Sequence, residues 1–219
     1  MVMVIADVLS AHEVAALREA ADDLVFTDGK ATAGRYARQV KANLQAESSG
    51  ELDAILDTVR RKLWANELVK SVARPRHMAR MLLSRYRDGM EYGLHVDDPI
   101  MQGHRTDLSF TLPLSDPDDY DGGGLVIEDA LEERVIRLRA GDMVLYPTSA
   151  LHRVEPVTRG ERLAVVGWIT SWIRDPAQRE VLHDLDAAAR AIFDEHGKTP
   201  AFDRLFKAKS NLTRMWADG

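Results

Sequence analysis

The spacing of apolar residues changes near Met78, and that change limits the fold more than any other feature of the chain. From His77 to Trp172 the chain divides into about seven short segments, alternating or apolar throughout, which is the pattern of strands. They cover 77–86, 91–96, 106–114, 124–128, 133–138, 142–146 and 162–172. Asp88-Gly89, the stretch Pro117–Gly124 and Ala140-Gly141 supply turns between them. Strands this short at this spacing predict an all-β sandwich or barrel, such as a double-stranded β-helix of the jelly-roll or cupin-like kind.

The flanks follow a different period. Val2–Val8 reads as a short strand. Ser10 and Glu13 fit a capping box, and Val14, Leu17 and Ala21 then recur at helical spacing, so a helix is expected to about Leu24. Asp28-Gly29 reads as a turn, and the polar stretch 30–47, with Tyr36 and Val40 as isolated apolar points, reads as a long loop. Ser49 opens a second helix with Leu52, Ile55, Leu56, Val59, Leu63 and Trp64 as its apolar stripe, and Pro75 ends that region. After Asp175-Pro176, Leu182, Leu185, Ala189 and Phe193 predict a helix ending near Gly197, and Phe202, Leu205, Phe206 and Leu212 predict a last one. The expected division is an N-terminal helical segment over 1–76 packed on the core, the β core over 77–174, and a C-terminal helical extension over 175–219.

With 219 residues, 45% of them hydrophobic, the chain can bury one substantial core. The net charge is −6 and no lysine/arginine run dominates any segment, so no nucleic-acid partner is expected. The absence of cysteine removes disulfides, thiol catalysis, zinc ribbons and iron–sulfur clusters. Met1–Asp7 lacks the basic and long apolar parts of a signal peptide, and no apolar run approaches the roughly 20 residues that span a bilayer. A cytoplasmic protein with no membrane partner is therefore expected; a homo-oligomer stays open.

Within the β-rich region lies Gly93-Leu-His95-Val-Asp97-Asp98-Pro99, followed downstream by Leu151-His152 and Arg162. A His-x-Asp pair with one distal histidine is the ligand set of a mononuclear non-haem iron site: two imidazoles and a carboxylate bind one face and leave the other open. On a strand, alternation would place His95 and Asp97 on one face, as two neighbouring ligands require. Asp98 would face the other way. The competing reading is that these are ordinary polar residues at strand ends. Arg162, Ala164, Val166, Trp168 and Thr170 share one strand face by parity, and a buried arginine there needs a partner. A bound carboxylate in a bidentate fork would supply it, the alternative being a surface pair with Glu161 or Glu155. Arg153 should point away from the metal side, and Arg159 lies in a turn-like segment. His12, His77, His104, His183 and His196 take structural readings, although His104 is close enough in sequence to line a pocket. Gly122-Gly123-Gly124 lacks the context of a nucleotide site and reads as a tight turn opening a strand.

Several ordered motifs resemble the bacterial PKHD-type hydroxylases, which are Fe(II)/2-oxoglutarate dioxygenases related to prolyl 4-hydroxylase catalytic domains and include iron-uptake factors. They are Tyr92–Asp97, Arg105–Ser109, Leu114–Pro117, Tyr120–Gly123, Ala140–Pro147 and Leu151–Gly160, with Gln39–Asn43 and the helical stretch after Ile173. The resemblance implies Fe(II) on His95, Asp97 and His152, 2-oxoglutarate on Arg162, O2 as co-substrate, and L-ascorbate (vitamin C) as an accessory reductant. It implies hydroxylation of an unactivated C–H bond with release of succinate and CO2. The presence of Asp97 disfavours a related halogenase, which needs an open position for chloride. Two rival functions use the same ligands: a cupin-like metalloenzyme without 2-oxoglutarate, and a non-catalytic iron- or 2-oxoglutarate-sensing module linked to iron uptake. A peptidyl proline or lysine, a free amino acid and a siderophore-like small molecule all remain as substrates.

Overall fold

The computed structural model describes residues 2–128 and 131–218. The first strand, β1 (Met3–Ile5), leads into α1 (Ala11–Asp22). The capping box forms: the Ser10 hydroxyl accepts from Glu13 N at 3.3 Å, and the Glu13 carboxylate accepts from Ser10 N at 2.9 Å. Next comes β2 (Phe26–Asp28). The stretch expected to be a long loop is ordered instead. It holds two 3-10 turns, Gly29–Thr32 and Ala37–Val40, and two strands, β3 (Lys41–Ala42) and β4 (Leu44–Ala46). Its polarity misleads because Lys41, Asn43 and Gln45 turn inward and are buried against a polar cavity.

Helix α2 (Gly50–Ala65) buries Leu52, Ile55, Val59 and Leu63. A separate helix that the sequence reading did not resolve, α3 (Glu67–Ala73), restarts at Asn66, whose Oδ1 accepts from Leu68 N and Val69 N. The β region then runs through β5 (Pro75–Tyr86), β6 (Glu91–His95), β7 (Ile100–Met101), β8 (His104–Arg105), β9 (Leu108–Pro113) and β10 (Tyr120–Gly122). It continues with β11 (Leu125–Glu128), β12 (Glu133–Ile136), β13 (Met143–Pro147), β14 (His152–Val154), β15 (Val157–Gly160) and β16 (Arg162–Ser171). Helices α4 (Pro176–His196) and α5 (Pro200–Trp216) close the chain. Asp175 caps α4, with Pro176 at its first position. Asp186 on α4 binds Lys209 on α5 and Arg74 after α3, which ties the extension to the N-terminal helices.

The pairing is antiparallel throughout the described ladders. A large sheet has the order β1-β13-β9-β16-β5-β4-β2 and a smaller one the order β12-β11-β14-β6-β3, with β10-β15 and β7-β8 as short extra pairs. This is the jelly-roll, or double-stranded β-helix, with helices around it. The core is not confined to residues 77–174: β1, β2 and β4 extend the large sheet and β3 the small one.

Alternation divides the large sheet into two faces. Leu83, Phe110, Leu112, Leu163, Val165 and Ile169 join Leu17, Ile55, Val59 and Leu63 of the helices in one apolar cluster. Each such side chain contributes about 1.5–3 kcal/mol when removed from water. The alternate residues face the small sheet, where Tyr86, Val144 and Tyr146 pack with Leu125, Ile127 and Val154. Gly167 is required on the helix side of this arrangement, since a Cβ there would lie 2.6 Å from the Phe110 ring. No helix among the described residues is long and apolar enough to cross a membrane.

Candidate metal centre and its cavity

Strands β6 and β14 pair antiparallel with His152 opposite His95. Strand β6 ends at His95, so Asp97 lies in the segment after it and its placement does not come from strand alternation as expected. It reaches the same spot nonetheless. Asp97 Oδ1 is 3.7 Å from His95 Nε2, and Asp97 Oδ2 is 3.7 Å from His152 Nε2. The side chains of His95, Asp97 and His152 are only 5%, 8% and 5% exposed.

Backbone oxygens orient both imidazoles. His95 Nδ1 donates to Gly93 O at 2.8 Å, and His152 Nδ1 donates to Ala150 O at 3.0 Å. That leaves both Nε2 lone pairs turned toward Asp97. Burial, and after it the neighbouring His152, hold the His95 imidazole down at about 4, so it is neutral at physiological pH as a ligand must be. The Ser109 hydroxyl donates to Asp97 Oδ2 at 2.8 Å, and Tyr92 stacks on the His95 ring with centroids 3.6 Å apart. The donor set suits a first-row divalent ion. The 3.7 Å gaps between ligand atoms are shorter than twice a ligand bond of about 2.1 Å, so one ion can bridge them.

The triad opens into a cavity between the two sheets. Its floor is built in rows across the large sheet. Tyr146, Ser109, Trp168 and Arg80 form the row beside the metal-ligand triad. Thr111, Val166 and Leu82 form the next, then Ala164 and Ser84, and finally Arg162 with Tyr86. Arg162 is 4% exposed, and its guanidinium lies 5.4 Å from the Tyr86 ring centroid. The surface pair considered for it does not form. Glu161 pairs with Arg85 instead, and no carboxylate of a described residue is within ion-pair reach of Arg162. Gly123 leaves it space, since a Cβ there would come within 3.1 Å of Arg162 Cδ.

The neighbouring arginines lie outside. Arg153 forks onto Glu133 with two contacts of 2.7 Å. Arg159 makes an exposed pair with Asp121; its segment is strand β15 and not a turn, because it pairs with β10. His104 lies against His77, with ring centroids 4.8 Å apart and the planes tilted, and does not line this cavity, and His183 Nδ1 lies 2.9 Å from the Ser71 hydroxyl. Sequence reasoning missed Lys41, Asn43, Gln45, Arg80, Ser84 and Tyr86, all of which line the cavity. For the last three the signal existed, since Arg80, Ser84 and Tyr86 share a parity along 77–86. For the first three there was none beyond the Gln39–Asn43 motif.

A family profile described as the 2OG-Fe(II) oxygenase superfamily matches residues 81–170, and one described as the PKHD-type hydroxylase C-terminal domain matches residues 176–218. A PKHD-type hydroxylase of Maricaulis maris is 52% identical over 211 residues, covering 96% of each chain. Another, from Synechococcus elongatus, is 46% identical with full coverage of both. The chain belongs to the PKHD-type hydroxylases. As a PKHD-type hydroxylase it is an oxidoreductase of the 2-oxoglutarate- and iron-dependent dioxygenase class. Solved structures share the fold at low identity. A prolyl-4-hydroxylase of Pseudomonas putida superposes with a TM-score of 0.51 at 22% identity, covering 78% of this chain and 92% of that one. HygX of Streptomyces hygroscopicus, solved with nickel and 2-oxoglutarate, gives 0.57 at 15% identity, covering 78% and 84%.

Proposed function

We propose that the protein hydroxylates an unactivated C–H bond with release of succinate and CO2, holding Fe(II) on His95, Asp97 and His152 and 2-oxoglutarate on Arg162. The observation that carries this reading is the His-Asp-His triad and a buried arginine without a carboxylate partner in one cavity. Iron with 2-oxoglutarate and O2, when bound, supplies oxidative decarboxylation coupled to oxygen insertion.

The chain's own residues orient and exclude. Gly93 O and Ala150 O fix the two imidazoles in the tautomer that offers Nε2. Ser109 holds one oxygen of Asp97 and sets the plane of the carboxylate. Arg162 offers a forked donor to the distal carboxylate of the co-substrate, at a depth where its desolvated charge favours an anion. The small Ala164 and the Val166 side chain on the same strand face leave the length such a dicarboxylate needs. Leu82, Leu125 and Val154 line the cavity with apolar surface and keep water from the reacting centre.

The test is anaerobic loading with Fe(II) and 2-oxoglutarate, then exposure to O2 with candidate peptides, amino acids and siderophore-like molecules. Succinate formed together with a product heavier by one oxygen atom is the expected result. Substrate turnover without loss of 2-oxoglutarate would favour the cupin-like alternative, and tight 2-oxoglutarate binding without turnover a sensing module.

A further inference from the structure

The cavity carries positive charge at two separate ends. Arg162 and Tyr86 form the last row of the large sheet's inner face, and Arg80 and Trp168 form the first. Arg162 and Trp168 are six residue steps apart along β16, which is about 20 Å of strand. The co-substrate's distal carboxylate occupies only one of these ends, and the other lies beside the metal-ligand triad.

At this second end, donors outnumber acceptors. The Lys41 ammonium is buried, with the residue 5% exposed, and it rests 4.9 Å from the Tyr92 ring centroid. Its hydrogen bond is to the Thr32 hydroxyl at 3.0 Å, a neutral oxygen. Arg80 lines the same cavity, and among the described residues no carboxylate stands within ion-pair reach of either cation. The Trp168 indole Nε1–H beside them is buried without an acceptor. Asp98 is the other carboxylate among the lining residues besides Asp97, and it sits against Gly34 instead of pairing with Lys41 or Arg80. Burial, and next the charge of Arg80, bring the Lys41 ammonium down to about 8, against the weaker opposing pull of Asp97 and Asp28, neither of which reaches it as an ion pair. Buried charges and donors in folded proteins are paired, and a group left without a partner at a cavity wall is one a ligand completes.

We propose that Lys41, Arg80 and the Trp168 indole form the subsite for the primary substrate, and that this substrate presents a carboxylate to them. The inference rests on the hydroxylase reading of the metal centre. It assigns the substrate class as carboxylic acids: the acid fixes one end of the molecule beside the triad, so that a C–H bond a few atoms away faces the metal. Arg80 and Lys41 are then specificity-determining residues, distinct from Arg162.

The protein is loaded with Mn(II) and 2-oxoglutarate without O2 and titrated calorimetrically with N-acetyl amino acids and their C-terminal carboxamides. Acids are expected to bind at least about tenfold more tightly than their amides, a difference of about 1.4 kcal/mol. Arg80→Gln and Lys41→Met should each erase that preference, Arg80→Lys should keep part of it, and all three should hold 2-oxoglutarate within about twofold of the parent. Binding of N-acetyl-aspartate or N-acetyl-glutamate as carboxamides would assign the site to a side-chain carboxylate, and binding of the other free acids to a terminal one. Equal binding of acids and amides among the amino acids without a side-chain carboxylate, no acid binding at all, or an intact preference in both charge-removing variants overturns the proposal. Loss of 2-oxoglutarate affinity in Arg80→Gln also overturns it, because Arg80 then serves the co-substrate. If the parent protein itself holds no 2-oxoglutarate with metal, the hydroxylase reading fails, and the same acid-against-amide titration of the unloaded protein still decides the subsite.

Discussion

Ser109 and Asp97 meet at 2.8 Å, the serine hydroxyl donating to the carboxylate oxygen that also faces His152. The serine is 1% exposed and comes from the central part of the large sheet, so it is a rigid anchor for a residue that lies beyond the end of its own strand. Ser109→Ala should therefore fold, lose about 1 kcal/mol of stability, and bind Fe(II) or Mn(II) roughly 10–100-fold more weakly. Asp97→Ala should fold as well, bind metal more weakly still, and form no succinate. Metal titration beside a thermal melt checks both, and full metal affinity in Ser109→Ala would deny the serine its orienting role.

Arg162→Ala should raise the 2-oxoglutarate concentration needed by about tenfold to a thousandfold, from about 1.4 kcal/mol per decade, while metal affinity stays near that of the parent. Arg159→Ala is the control. Its pair with Asp121 is exposed and screened by solvent, and it lies outside the cavity. Succinate formation against 2-oxoglutarate concentration separates the two, and the reverse ranking would move the co-substrate away from Arg162.

The metal-free protein should lose stability as the pH falls from about 6.5. His95 titrates near 4 in the fold against 6.5 when unperturbed. Between those values the unfolded chain binds a proton that the folded one refuses, so acid favours unfolding. The effect is fully expressed near pH 4 and amounts to at most about 3 kcal/mol. Urea melts of the parent and of His95→Gln across this window measure it; the variant should show a shallower slope, and equal slopes would mean His95 is not held neutral.

Gly167→Ala should cost about 1–3 kcal/mol. The added Cβ would lie 2.6 Å from the Phe110 ring and 2.8 Å from Met81 Cγ, and Phe110 is fully buried under the helices with nowhere to move. A denaturant titration showing parent-like stability would mean that this interface yields more readily than its packing implies.

The strands with apolar alternation, such as 106–114 and 162–172, were legible in the sequence because one of their faces meets the helices. The wall at 41–46 was not, because Lys41, Asn43 and Gln45 are buried by facing a polar cavity, and a buried polar face looks like solvent exposure in a sequence. The His95–Asp97 pair was read correctly as converging but for the wrong reason. Strand alternation ends at His95, and the hydrogen bond from Ser109 holds Asp97 in place instead. The burial of Arg162 on the inner face was legible from the small residues that share that face, and Arg159 was misplaced in a turn because a four-residue strand ending in glycine resembles one.

The pairing of β6 with β14 brings His152 to His95 from a distant part of the chain, across a ladder that also needs β3 from the N-terminal region. No local fragment contains all three ligand atoms, so a partly folded chain offers an incoming ion at most the neighbouring His95 and Asp97. Tight metal capture is thereby reserved for the finished molecule, and the ion becomes a reporter of folding: its free energy of binding adds directly to the cooperative unfolding transition. Iron supply would then set how long the folded chain survives as well as how fast it works.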